Sequence, residues 1–483
     1  YRSFKVTQVI ELEELKATLV ELEHQACGAK VLHLACDDPE NLFCLSFQTL
    51  PSSSNGVAHI LEHTVLCGSR KYPVKDPFFA MTRRSLTTFM NALTGADFTC
   101  YPAASQVEKD FYNLLEVYLD AVFHPQLKKE SFLQEGCRLE LTDRDDLKSP
   151  LEWKGIVFNE MKGALASPDT RLWHQVTQTL MPDLTYANIS GGSPAVIPSL
   201  TYEELIRFHE TYYHPSRCLF FFYGTMPLKK HLDVIEENVL KSARKASPLP
   251  PLPKQKRFKT PKNVEGFYPM TNEKESQVMI AWSWLTVSAQ EQDTLLALSL
   301  LDAILMETDA SLLKLPLLQS GLCTTADAFL DPEMSEAPYL LVCKGCNLKQ
   351  ADALEEILLK TLHEIAEKGI PPHMIEASLH QLELSRTEIG SDHGPFGLSL
   401  FMRAALIQQH GGRPEKALKI HTLFTQLREK LHNPDFLPSL IREMFLNNPH
   451  RVRALMKPDA KLLDNEQEEE NKKLKILAQD LPL

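Results

Sequence analysis

At 483 residues, 43% hydrophobic and 24% charged, the chain reads as a globular protein too long for one ordinary core, so at least two domains are expected. A formal net charge of −12 argues against nucleic acid and suits a basic partner or substrate, and no apolar run is long enough to span a membrane. Ten scattered cysteines without a disulfide spacing, and an opening Tyr1-Arg2-Ser3 with neither a signal pattern nor an initiator Met, argue against secretion, favour a reducing compartment, and leave room for a leader or tag already removed.

In chain order, Glu11 to Glu23 reads as helical, followed by strands at Lys30–Leu34 and Leu42–Gln48, where Phe43, Leu45 and Phe47 alternate with polar or small residues. A Ser/Asn/Gly turn leads into Asn55 to Gly68, which reads as one short helix. Ser54 or Asn55 is expected to cap it, Gly68 to stop it, and Val57, Ile60, Leu61 and Val65 to form its buried stripe. His59 and His63 are four residues apart, so their imidazoles project from one side and are able to share a zinc ion at about 2.0–2.1 Å. Glu62 falls near the same face, where it is placed to take a proton from an attacking water. The order His-x-x-Glu-His inverts the commoner His-Glu-x-x-His and is the inverzincin signature. A third ligand is needed, and the residues alone leave it open among Glu135, Glu140, Glu152 and Glu160, each on a plausible helix.

Beyond this motif, Asp76-Pro77 starts a helix, and residues 87–101 read as a hairpin around Gly95. Helices follow at Lys109 to Phe123 (stopped by His124-Pro125), Phe132 to Leu141, Gly155 to Leu165 and Thr201–Tyr213. Leu219 to Gly224 is a continuous apolar run, as in a strand buried on both faces. Residues 246–263 form a proline-rich basic linker, expected to be stiff and exposed. After it come strand Gln277–Leu285, helix Glu291–Glu307, strands near Thr325 and Tyr339, and helices at Asp352–Lys368, Pro372–Ser385, Gly397–His410, Glu415–Leu431 and Phe436–Leu446. The division expected is 1–245 and 264–457 as two α+β domains of like plan, joined by 246–263, with a charged helical or linker segment over 458–483. Cys343-Lys344-Gly345-Cys346 stands alone and reads as bystander thiols.

Residues 56–69, then Lys71-Tyr72-Pro73, Asp76 to Phe79, Ser85 to Ala92, Gln134-Glu135-Gly136, Val157 to Ala164 and Tyr213 to Ser216 closely resemble the presequence proteases, a branch of the pitrilysin/insulinase metallopeptidases. The resemblance is dense over 40–225 and looser to about 457. It implies Glu160 as third ligand, in Phe158-Asn159-Glu160-Met161-Lys162-Gly163, with Glu152 a surface acid and His174 and His214 structural. It implies one Zn2+ per chain and peptide hydrolysis by zinc-activated water with Glu62 as general base. It places Asn91, Ala92 and Leu93 on the edge strand that receives an extended substrate, and Leu66, Phe78 and Phe79 in an apolar pocket beside the scissile bond; as isolated residues these last three would more often be core.

The fold implied is α+β: two related domains, each an antiparallel-rich sheet carrying helices, together half of a clamshell that closes on unfolded, presequence-like peptides. A second half, in the same polypeptide or a separate chain, is expected to complete it. The arginine and tyrosine that family members place there to hold the substrate carbonyl have no counterpart assigned here. No membrane partner is expected. The cytoplasm is the favoured setting, with mitochondrial matrix or plastid stroma as the family's alternatives. Two competing readings are a non-catalytic scaffold, opposed by the intact His59, Glu62, His63 and Glu160, and a half-enzyme that binds peptide and zinc but turns over only with a partner.

Overall fold

A computed structural model of the chain describes residues 3–270, 277–387 and 394–480. Tyr1, Arg2 and the last three residues of the expected charged segment lie outside them. The first part of the chain contributes strands β1 (Phe4–Leu12), β2 (Ala17–His24), β3 (Lys30–Cys36), β4 (Asn41–Gln48), β5 (Thr87–Met90), β6 (Leu93–Thr94), β7 (Phe98–Ser105), the two-stranded ribbon β8 (Arg138–Leu141) and β9 (Leu151–Lys154), and β10 (Leu219–Gly224). The second part contributes β11 (Lys262–Pro269), β12 (Val278–Ser288), β13 (Thr325–Leu330), β14 (Glu336–Cys346) and β15 (Arg451–Asp459).

The two main sheets share one plan. The first runs β1-β2-β3-β10-β4-β7-β5, with β6 also on β7, and the second runs β11-β15-β12-β14-β13. In each, a late strand inserts beside an early one in parallel (β10 on β3, β15 on β11) and antiparallel to the next (β4, β12). This is the mixed, antiparallel-rich α+β architecture expected.

The run Leu219 to Gly224 is apolar because both faces of β10 are covered. Phe220 stacks on Phe123 and Phe222 on His231, while Phe221 faces Phe401 across 5.4 Å. Phe401 belongs to the helix Phe396–Gln409, which the sequence grouped with the second domain but which packs on the first sheet with Leu32, Leu34 and Phe221. The helix Pro168–Leu180 does the reverse, burying Leu172 and Val176 against Met279, Ala281 and Ala454 of the second sheet.

Several expectations are corrected. Glu11 to Glu23 is the end of β1, a turn at Glu13–Leu15 and most of β2. Its Leu- and Glu-rich composition favours helix, but Lys16 turns the chain at φ 47° and pairing with β1 and β3 buries Leu19 completely, which outweighs local propensity. Phe132 to Leu141 stays helical only within Lys129–Glu135; it ends at Gly136, and Arg138–Leu141 pairs as ribbon. Glu415–Leu431 breaks at Lys419 (ψ 68°) into Pro414–Leu418 and Ile420–Leu431, and Phe436–Leu446 finishes in a wider turn over Arg442–Leu446. The proline-rich stretch is not uniformly exposed, because Gln255 is buried and its backbone N–H donates to Glu336 at 2.7 Å. Helices Pro168–Leu180 and Leu228–Asn238 were not expected.

Candidate metal centre

The helix Val57–Val65 buries Val57, Ile60, Leu61 and Val65 in the first core, the stripe its spacing predicts. Its start differs from expectation. Gly56 is the N-cap residue at φ 73°, Asn55 Oδ1 accepts the Val57 N–H at 3.2 Å, and Ser54 Oγ instead accepts the Ile189 N–H at 3.0 Å. Gly68 has φ 118° but lies beyond Leu66, which ends the helix. Ser54 thereby ties the helix start to the loop around Gly191 and Gly192, which a Cβ on Gly56 would meet.

His59 and His63 stand side by side with ring centroids 4.9 Å apart. Opposite them, the helix Ile156–Ala164 buries Val157, Phe158 and Met161, which leaves Glu160 facing outward, half exposed. Its Oε2 lies 3.7 Å from Nε2 of His59 and 3.7 Å from Nε2 of His63. The three donor atoms all lie within 4.8 Å of one another, the one such cluster among the described residues.

The other ring nitrogens are already engaged. His59 Nδ1 donates to the Gly191 carbonyl at 3.3 Å, and His63 Nδ1 donates to Glu135 Oε2 at 3.2 Å. Those bonds turn both Nε2 lone pairs toward Glu160 and fix the tautomer. Two imidazoles and one carboxylate suit a zinc ion with a fourth position free, so the residues present fit the metal. Of the four carboxylates left open by the residues, Glu160 is the one that faces both Nε2 atoms. Glu135 is buried on the far side of His63, and Glu140 and Glu152 sit on the ribbon in ion pairs with Arg138, Arg144 and Lys154.

Glu62 is 7% exposed and its Oε2 accepts a hydrogen bond from the Thr94 hydroxyl on β6. Burial raises its pKa, opposed by the Thr94 bond and the His63 charge. Burial, helped by His63, pushes His59 down to about 4, so it is neutral and ready to ligate. Burial also pulls on His63, but the Glu135 bond and the charges of Glu62, Glu160 and Glu135 outweigh it and raise its pKa.

Asn91 and Ala92 join β5 to β6, and Leu93 begins β6; both short strands pair with β7 and with no further strand among the described residues. That edge is therefore open, close to Glu62 through Thr94. Ala92 N–H is taken by Asn91 Oδ1 at 2.9 Å, and Asn91 O accepts from Tyr118 at 3.3 Å. Leu66 and Phe78 pack partly buried on the first core, whereas Phe79 is 65% exposed, its ring edge-on to Phe78. His214 bonds Ser216 in a turn, and His174 lines a cavity of about 240 Å3 beside Thr94 and Asp97.

Glu135, Thr94 and Gly191 were not assigned these positions from sequence. Gln134-Glu135-Gly136 stood among the resembling motifs, and the Gly191-Gly192 pair is a signal of close backbone approach; Thr94 carries none.

Residues 51–151 match the family model described as insulinase (peptidase family M16), and residues 199–382 match the one described as peptidase M16 inactive domain. A mitochondrial presequence protease of Xenopus laevis is 41% identical over 477 residues, 98% of this chain and 46% of that one. Presequence protease 1, chloroplastic/mitochondrial, of Arabidopsis thaliana is 38% identical over 95% of this chain and 43% of its own. Protein HypA of Clostridium perfringens is 33% identical over 98% and 49% respectively. The chain thus spans about half the length of the curated relatives it matches. Among solved structures, a protease from Helicobacter pylori aligns at TM-score 0.69 with 18% identity, covering 91% of this chain and 99% of that one, a likeness of fold.

Proposed function

This chain belongs to the insulinase (M16) peptidase family, matching the N-terminal half of its presequence-protease branch, and on that premise we propose that it is a zinc metalloendopeptidase acting on unfolded oligopeptides such as presequence-like peptides. The observation that carries this reading is the convergence of His59, His63 and Glu160 beside a buried carboxylate, Glu62.

A bound zinc ion would supply Lewis acidity for the scissile carbonyl and for the attacking water. Nε2 of His59 and of His63 and a carboxylate oxygen of Glu160 would hold it. Glu62 is the general base: its burial raises its pKa, and it accepts the proton of the attacking water and passes it to the leaving amine. Thr94 orients that carboxylate from the strand the substrate would join. An extended peptide adds to the open edge at Asn91, Ala92 and Leu93 by main-chain hydrogen bonds, displacing Asn91 Oδ1 from the Ala92 N–H, and Leu66, Phe78 and the exposed Phe79 offer apolar contact near the scissile bond.

A second reading shares the site but needs a partner: the chain binds zinc and peptide, and a C-terminal half, in the same polypeptide or separate, is required for turnover. The 46% coverage of the first relative favours keeping it. As for compartment, ten free thiols suit a reducing one such as the cytoplasm, and relatives named for mitochondria and chloroplasts support the matrix or stroma as alternatives.

The test is cleavage of an unstructured basic peptide of about 20–30 residues, sized for an enclosed site. Cleavage abolished by a chelator and restored by zinc supports the first reading. Restoration only when second-half protein is added supports the second, and metal-independent cleavage contradicts both.

A further inference from the structure

Two arginines far from the motif share a cavity. Arg386 lies in the last turn of the helix Pro372–Thr387 and Arg403 on Phe396–Gln409; both are half-buried and line a space of about 50 Å3. The other walls are mainly aliphatic and aromatic, including Leu295, Leu296, Ile420 and Phe424. Among the described residues neither guanidinium has a carboxylate partner. Arg386 Nη2 reaches Ser299 Oγ at 3.5 Å, and Arg403 Nη1 donates to the Arg386 carbonyl at 3.3 Å. Other arginines in this part of the chain are paired with carboxylates: Arg428 with Glu383 and Arg442 with Asp435.

Charge removed from water is normally compensated by a counter-charge, because desolvating an unpaired ion is costly. Burial and the Arg386 charge push Arg403 down to about 10, which still leaves it protonated at neutral pH. Two like charges are therefore held together against their repulsion, with most of their donors unused among the described residues. Guanidinium forks match oxyanions bidentately, and the cavity is far smaller than the roughly 300 Å3 at which pockets for drug-sized ligands begin.

We propose that Arg386 and Arg403 form a binding site for one small tetrahedral oxyanion of the phosphate or sulfate class, separate from the metal centre. The anion neutralises both guanidiniums and ties Phe396–Gln409, which packs on the first sheet, to Pro372–Thr387, which packs on Gln292–Met306 beside the second.

The experiment titrates the full chain in chloride buffer with inorganic phosphate at constant ionic strength, following heat of binding and thermal unfolding, with sulfate and acetate in parallel. The expected result is saturable one-to-one binding of phosphate or sulfate, a rise in unfolding midpoint that saturates with it, and no response to acetate. Arg386→Gln and Arg403→Gln should each weaken binding at least tenfold. Arg403→Met should unfold no lower than wild type without phosphate, since it removes an uncompensated charge, and should lose the phosphate response. If the glutamine variants do not fold, Arg403→Lys, which keeps charge but not the fork, should bind severalfold more weakly. Absence of saturable binding to wild type, acetate binding as well as phosphate, or variants retaining full affinity would overturn the proposal.

Discussion

One carboxylate oxygen of Glu135 stands 3.2 Å from Nδ1 of His63, on the opposite side of the ring from Glu160. A buried carboxylate in that position orients the imidazole, raises its basicity as a ligand and holds the proton on Nδ1. Glu135→Gln keeps the shape but removes the charge. It should bind one zinc at saturation with affinity lowered about 10–100-fold, measured by chelator competition.

Glu160→Ala should cost more zinc affinity than Glu135→Gln, because it removes a proposed ligand rather than a ligand's partner. Glu152→Ala, on the ribbon beside Lys154, should leave zinc affinity at the wild-type value. Equal losses for Glu152 and Glu160 in the same chelator competition would reject this ligand set.

Gly56 begins the motif helix at φ 73°, and a Cβ there would stand 3.0 Å from the Gly191 carbonyl oxygen, the acceptor for His59 Nδ1. Gly56→Ala should lower stability by about 1–2 kcal/mol from the left-handed backbone alone. By displacing the Gly191 loop it should also weaken zinc binding. Denaturant unfolding of the zinc-free protein separates the first effect from the second.

How much of this was legible depends on the kind of signal each residue carries. His59, Glu62 and His63 lie within five residues on one helix, so helical periodicity alone places them together. Glu160 is a different case. It stands 3.7 Å from both rings, but along the chain nothing local distinguishes it from Glu135, Glu140 or Glu152. Only resemblance to a known segment selected it, and Glu135's part required the fold. The β2 strand was misread because Leu and Glu favour helix wherever tertiary pairing does not intervene. The helix Pro168–Leu180 carried readable signals: Ser167 caps it, Pro168 starts it, and Leu172, Val176 and Leu180 recur at helical spacing. That it covers the other sheet could not be read from periodicity, which says that a face is buried and not against what.

His33, on β3, is 3% exposed, and among the described residues neither ring nitrogen has a hydrogen-bond partner. Burial pushes its pKa down to about 4, against an ordinary value of 6.5. Between those values the unfolded chain binds a proton that the folded chain excludes. Its contribution is thus fully present above pH 6.5 and lost as pH falls toward 4, to a total of about 3 kcal/mol. In urea unfolding at pH 7 and pH 4.5, His33→Leu should lose roughly 2–3 kcal/mol less stability than wild type over the same interval. Identical losses would place the acid sensitivity elsewhere.

The central claim, that Glu62 acts as base at a centre held by His59, His63 and Glu160, is tested most directly by one paired measurement on Glu62→Gln: bound zinc and peptide cleavage. The second half is supplied to both proteins if wild type requires it. Zinc equal to wild type with cleavage reduced by at least about 100-fold is the predicted result, the scale expected for loss of a general base. Cleavage at the wild-type rate with zinc in place would contradict the account.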